Sequence, residues 1–210
     1  MARLRLVQAA DLDALYAISL ATGFAGAGAA HLYEDGMLLG HIYSAPYARL
    51  EPDLALVVED EAGVAGFAVG TTDTESWEAR LEREWWPDLR KRYADPTGAP
   101  GDWTVDQRRC AMIHHPERTP VNIAQVYPAH LHLNLLPRLQ HQGLGTMLLA
   151  AWLQRAHGRG AQAVHVGINR ANMRAQEFWE RRGFQPLTAD GGATRTVWMG
   201  RLRSSGKSDS

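Results

Sequence analysis

The sequence predicts a mixed α/β domain, with a largely antiparallel sheet of about six or seven strands flanked by helices and a helical insert between the third and fourth strands. Three observations carry that expectation. Leu54 to Glu59 and Val64 to Thr71 are apolar, β-branched runs joined by Asp60-Glu61-Ala62-Gly63, which is a hairpin signal. Ala129 to Leu136 alternates His130, His132 and Asn134 with Leu131, Leu133 and Leu135, then runs into a glycine-bearing loop that opens a helix. Between them, Thr72 to Pro128 is too long for a structureless connection and holds four of the seven Trp.

The remaining elements follow in order. Arg3 to Val7 alternates charge with Leu, which suits a half-buried first strand. Asp11 is placed to cap a helix in which Leu12, Leu15, Tyr16 and Ile18 recur at helical spacing until Thr22-Gly23. Gly23 to Ala30 reads as a connector, solvated or able to move over a ligand. Met37 to Tyr43 forms a second short helix that Pro46 stops. Within the insert, Glu78 to Lys91 is helical with Pro87 interrupting, and Thr104 to His114 is another helix. Trp77, Trp85, Trp86 and Trp103 either build a satellite core or shape substrate specificity. Gly143 to His157 is a helix with Leu144, Met147, Leu148 and Ala151 as its buried stripe, ended by Gly158 to Gly160. Ala163 to Ile168 is the next strand and Ala171 to Arg182 the next helix. Phe184 to Leu187 and Thr194 to Leu202 pair around Gly191-Gly192. Residues 1–203 thus read as one domain, followed by a mobile polar tail from Ser204 to Ser210.

Bulk numbers narrow the function. A chain of 210 residues with 45% apolar content buries a core of its own. Twenty-two basic residues against twenty-three acidic ones, with no basic block, leave nothing to drive nucleic-acid binding by counterion release. The single Cys110 forms no internal disulfide, and Asp11 and Asp13 interrupt what a secretory segment needs, so the chain reads as cytoplasmic. No window is apolar enough for a membrane span. Cys110 and His114 share a helical face but are too few for zinc, so no metal is expected. No G-x-S-x-G elbow exists, and Cys110 reads as core.

The segment Gln140-His141-Gln142-Gly143-Leu144-Gly145-Thr146 has the form of a phosphate cradle. Gly143 and Gly145 let amides approach an anion, and the following helix aims its positive end at the same place. Downstream stands Asn172-Met173-Arg174-Ala175-Gln176-Glu177-Phe178-Trp179-Glu180-Arg181-Arg182-Gly183-Phe184. In this order and at this separation the two strings resemble the acetyl-CoA-binding motif and the next helix motif of the GCN5-related N-acetyltransferases (GNAT). The likeness implies the GNAT fold, a sheet splayed where acetyl-CoA enters, and acetyl-CoA as cosubstrate. It implies that Gln140, His141, Gln142, Gly143, Leu144, Gly145 and Thr146 wrap the pyrophosphate. The strand edge through Leu135 and Leu136 would then pair with the pantetheine arm, with Asn172 near that arm and Trp179 packed on the cofactor. A further likeness, carried by Glu51-Pro52, Leu56 to Glu61, Gly63, Gly66, Gly70 to Asp73, Trp85, Pro87, Tyr93, Pro96 and Gly98, is to the acetyltransferase-like C-terminal domain of animal O-GlcNAcases. The glycine loop degraded in that domain is intact here.

Acetyl transfer to an amine needs deprotonation of the amine, a donor for the oxyanion, and in some cases an acid for the thiolate. By the resemblance, attack is direct and the oxyanion donor is a main-chain N–H near Leu135. The family's usual Tyr is Trp179 here, whose indole is no acid near neutral pH. His132 and His130, on the strand leading to the loop, are the first candidates for the base, followed by Asp73 and Glu78. The string Ala129-His130-Leu131-His132 resembles one in the arylalkylamine acetyltransferases, one residue closer to the loop, which reverses side-chain direction unless a bulge intervenes. The expected acceptor is a primary amine, on a small molecule or a protein lysine. The rival reading is a non-catalytic acetyl-CoA sensor or interaction module, and the insert would also suit a homodimer interface.

Overall fold

The computed structural model of the chain describes residues 2–190 and 195–203. The turn expected at Gly191-Gly192 and the tail expected from Ser204 lie outside them. Seven strands, β1 (Arg3–Leu6), β2 (Ala55–Asp60), β3 (Gly63–Thr71), β4 (Ala129–Leu135), β5 (Ala163–Asn169), β6 (Gln185–Leu187) and β7 (Thr196–Leu202), form one sheet in the order β1-β2-β3-β4-β5-β7-β6. Every neighbouring pair is antiparallel except β4 with β5.

Helices cover both faces: α1 (Leu12–Ala21), α2 (Leu38–Tyr43), α3 (Ala45–Leu50), α4 (Thr74–Glu84), α5 (Trp86–Arg92), α6 (Val105–His114), α7 (Val121–Val126), α8 (Leu144–Gly158) and α9 (Met173–Glu180). The alternation along β4 separates two cores. Leu131, Leu133 and Leu135 pack with Leu148 and Trp152 of α8, while Phe67 and Val69 of β3 pack on the other face with Leu15, Ile18, Trp77 and Trp86. The insert is therefore part of the main core, because Trp77 and Trp86 are buried within it and Trp77 stacks on Tyr47 at 4.3 Å. Gly70 has a packing reason: a Cβ there would stand 2.1 Å from the His130 carbonyl oxygen and 2.6 Å from the Trp152 ring.

Several local expectations need correction. α2 ends at Tyr43 and α4 at Glu84, as Pro46 and Pro87 predict, but each proline also sits in the first turn of a further helix, α3 or α5, where a missing N–H costs nothing. Asp11 precedes α1, yet its carboxylate is turned to Arg5, which also holds Glu59 and so ties β1 to β2. The Arg5 guanidinium keeps the Asp11 carboxyl below the usual carboxylate range. Met147 is 49% exposed, and the buried stripe of α8 runs through Leu148, Leu149, Trp152, Leu153 and Ala156 instead. Helix α7 was not expected.

What the fold does for the site happens between β4 and β5. They pair only at Ala129 with Val164 and His130 with His165, then part, while β4 stays paired to β3 through Leu135. A wedge opens along the free edge of β4.

Candidate functional site

The glycine loop closes the wide end of that wedge. His141 and Gly143 both take left-handed conformations, with φ of 61° and 78°, so successive N–H groups turn to one side. Among the described residues, the amides of His141, Gln142, Gly143, Leu144 and Gly145 have no acceptor within the protein. Those on either side do: the Gln140 N–H donates to Pro137 and the Thr146 N–H to Gly143. Five consecutive free donors at the start of the 15-residue helix α8 form an anion cradle.

Side chains brace this loop. The Gln140 amide donates to the Leu135 carbonyl oxygen at 2.8 Å, and the Gln142 amide to that of Arg138 at 2.8 Å. What Gln142 offers a ligand is thus its main chain. Gly145 allows Phe178 of α9 within 3.1 Å of where a Cβ would stand. Along β4, Leu136 donates its N–H to Ala65. The antiparallel alternation then aims the N–H groups of Leu133 and Leu135 away from β3 and into the wedge.

Leu133, Leu135, Gln140, His141, Gly143, Gly145 and Thr146 line a cavity of about 470 Å³, together with Thr22, Ala25 to Ala27, Asn134, Asn172, Arg174, Glu177, Trp179, Arg181 and Arg182. The connector Gly23 to Ala30 crosses its mouth, with Gly26 lying against the Asn172 side chain. Asn172 also caps α9 by accepting from the Ala175 N–H at 3.0 Å. Two arginines that the motif reading passed over flank the cradle. Arg174 donates to His141 Nε2 at 3.0 Å, and Arg182 lies 3.6 Å above the Phe178 ring and donates to the Thr146 hydroxyl. Trp179 is 6% exposed and packs edge-on against Phe178 and Phe184. It touches the cavity as a wall rather than standing in it.

The two strand histidines do not line this cavity but point to the opposite face, into one directed hydrogen-bond chain. The Thr74 hydroxyl donates to the Pro128 carbonyl at 2.7 Å, so its oxygen accepts from His130 Nδ1–H at 2.7 Å. His130 Nε2 is then an acceptor for the Tyr47 hydroxyl at 2.7 Å, and that oxygen accepts from His132 Nε2–H at 3.3 Å. His132 Nδ1 is left with its lone pair free of any described partner. Burial, and then the neighbouring His165, pull the His132 pKa down to about 4, and burial holds His130 well below its ordinary value. Both rings are neutral at pH 7. Burial also raises the Tyr47 pKa, so its hydroxyl keeps the proton the chain needs.

The other candidates have local duties. Asp73 caps α4, accepting from the Ser76 N–H at 3.1 Å and the Ser76 hydroxyl at 2.8 Å, and does not line the cavity. Glu78 accepts from the Thr119 N–H at 2.8 Å. Among the described residues no cluster of three or more His, Cys, Asp or Glu could hold a metal ion. No described helix is long and apolar enough to cross a membrane.

Residues 32–184 match the model of the acetyltransferase (GNAT) family. The solved structure named SsHAT is 35% identical, with a TM-score of 0.88, over 96% of this chain and 98% of that one. Rat protein O-GlcNAcase is 21% identical over 180 residues, which is 81% of this chain but 20% of the relative, so the chain spans about a fifth of that protein's length. The putative acetyltransferase yncA of Salmonella typhimurium, solved with acetyl-CoA, shares the fold at 16% identity and a TM-score of 0.54, over 96% of this chain and 93% of that one.

Proposed function

The chain belongs to the GNAT acetyltransferase family, and on that premise we propose that it moves an acetyl group from acetyl-CoA to a primary amine by direct attack with both substrates bound. The observation that carries this reading is the row of five unbonded amides, His141 to Gly145, beside the free edge of β4. The amides take the diphosphate, with Arg174 and Arg182 supplying charge alongside. The N–H groups of Leu133 and Leu135 meet the pantetheine arm and the oxyanion that forms on attack.

His132 takes the amine proton, directly or through one water, at its free Nδ1. The positive charge that forms is then shared along Nε2–H, Tyr47 and His130. A pKa of about 4 makes His132 a weak base, so turnover rises with pH as the amine itself deprotonates. Trp179 gives the leaving thiolate no proton. A thiol of pKa about 8.5 leaves without one.

The test is calorimetric titration of acetyl-CoA followed by CoA release in the presence of primary amines, as small molecules and as lysine peptides. Saturable 1:1 uptake and amine-dependent release above background hydrolysis are expected. Uptake without release by any amine favours the second reading, an acetyl-CoA-binding sensor or interaction module. That reading draws on Trp179 filling a wall where the family commonly has a phenol, and on the internal bonds at both nitrogens of His130.

A further inference from the structure

The insert places a cation, Arg109, near the proposed base without a described carboxylate partner. Arg109 of α6 donates through Nε to the Tyr33 hydroxyl at 2.9 Å and through Nη1 to the Tyr43 hydroxyl at 3.2 Å and Met112 Sδ at 3.1 Å. All three acceptors are neutral, and Nη2, with two N–H donors, has no described partner. Among the described residues no carboxylate pairs with Arg109; the exposed Glu117 acts on it only from a distance. Arg5 and Arg90, by contrast, hold carboxylates, Arg5 those of Asp11 and Glu59 and Arg90 that of Glu82. A half-buried guanidinium that is fixed in place but not neutralised is costly unless an anion joins it.

Its position says which anion. The guanidinium lies 5.8 Å from the Tyr43 ring, and that ring packs edge-on against His132 at 5.7 Å. One aromatic ring therefore separates the cation from the proposed base. We propose that Arg109 recognises a carboxylate on the amine acceptor, so that the acceptors are amino acids or acidic peptides rather than simple alkyl amines. The inference rests on the acetyl-transfer reading for its meaning, but its test does not need turnover. Tyr33 and Tyr43 hold the planar fork so that Nη2 meets a carboxylate oxygen in a fixed direction.

The experiment loads the full chain with acetyl-CoA and titrates glutarate, or its neutral isostere glutaramide, while the arginine Nε–H and Nη signals are followed by NMR. Glutarate is expected to give a saturable shift at Arg109 and glutaramide none. By calorimetry, R109M is expected to bind glutarate at least about tenfold more weakly, with an unchanged melting temperature and unchanged acetyl-CoA affinity. No saturable response to glutarate, an equal response to glutaramide, or wild-type glutarate affinity in R109M overturns the proposal. With turnover, L-lysine should exceed cadaverine about tenfold or more in kcat/KM, and R109M should erase the difference. Absence of CoA release with every amine would count against acetyl transfer and leave the glutarate result to be judged by itself.

Discussion

The loop side of β4 and its histidine side are built from different materials. On the loop side most donors are main chain, five consecutive amides and the edge of the strand that precedes them, with Arg174 and Arg182 beside them. On the histidine side the groups proposed to act are side chains, drawn from several segments: Tyr33, Tyr43, Tyr47, Thr74, Arg109, His130 and His132. A backbone site needs only a local conformation, so it leaves a short motif. A side-chain site needs the whole fold to assemble it.

Acid should separate the two sides most strongly. Burial holds His41 and His165 at about 4 and His130 well below the ordinary value, whereas an unfolded histidine titrates near 6.5. Between those values the unfolded chain binds protons that the native chain refuses. Stability is therefore fully present above pH about 6.5 and is lost as pH falls toward 4, at about 1.4 kcal/mol per pH unit for each such group. The melting temperature should be level from pH 7 to 8 and drop steeply from 6.5 to 4.5. A flat profile would mean that these rings are not buried neutral.

Tyr47→Phe comes next. It leaves the lone pair of His130 Nε2 without its donor, at a cost of about 1–3 kcal/mol in denaturant unfolding. Turnover at saturating acetyl-CoA should fall, while the acetyl-CoA Kd stays within about twofold because no group of the cradle changes. A large loss of acetyl-CoA affinity would erase the distinction between the two sides.

Gly143→Val addresses the loop. A Cβ at Gly143 meets nothing within 4 Å, so the change acts through the left-handed backbone at φ 78° alone. The strain of about 1–2 kcal/mol should weaken acetyl-CoA binding by roughly tenfold. Unchanged affinity by calorimetry would show that this conformation does not shape the cradle. The smallest effect belongs to Trp179→Tyr, expected to alter kcat by less than about threefold since the ring packs as a wall against Phe184. An increase well beyond that would identify thiolate protonation as limiting.

How far the sequence could be read follows the same division. The alternation of β4, the hairpin of β2 and β3 and the loop from Gln140 to Thr146 are local patterns, and they stand where their spacing put them. Pro46 and Pro87 mark real helix breaks, but that a new helix starts at Pro46 is not legible there, because a proline fits the start of a helix as well as its stop. A period of 3.6 points Met147 inward, but α8 meets the sheet through the stripe centred on Trp152, one step around the helix. Arg182 had a faint signal, a basic pair just before Gly183-Phe184. Arg109 had none, since Tyr33 and Tyr43 stand more than sixty residues away from it in sequence.

The most direct measurement is an amide NMR titration of the full chain with acetyl-CoA, with the resonances of His141 to Gly145 assigned. One equivalent should shift all five and slow their exchange with solvent, while the already bonded amides of Gln140 and Leu136 move little. Binding that leaves those five resonances in place, or no binding by folded protein, would contradict the cradle and the function proposed from it.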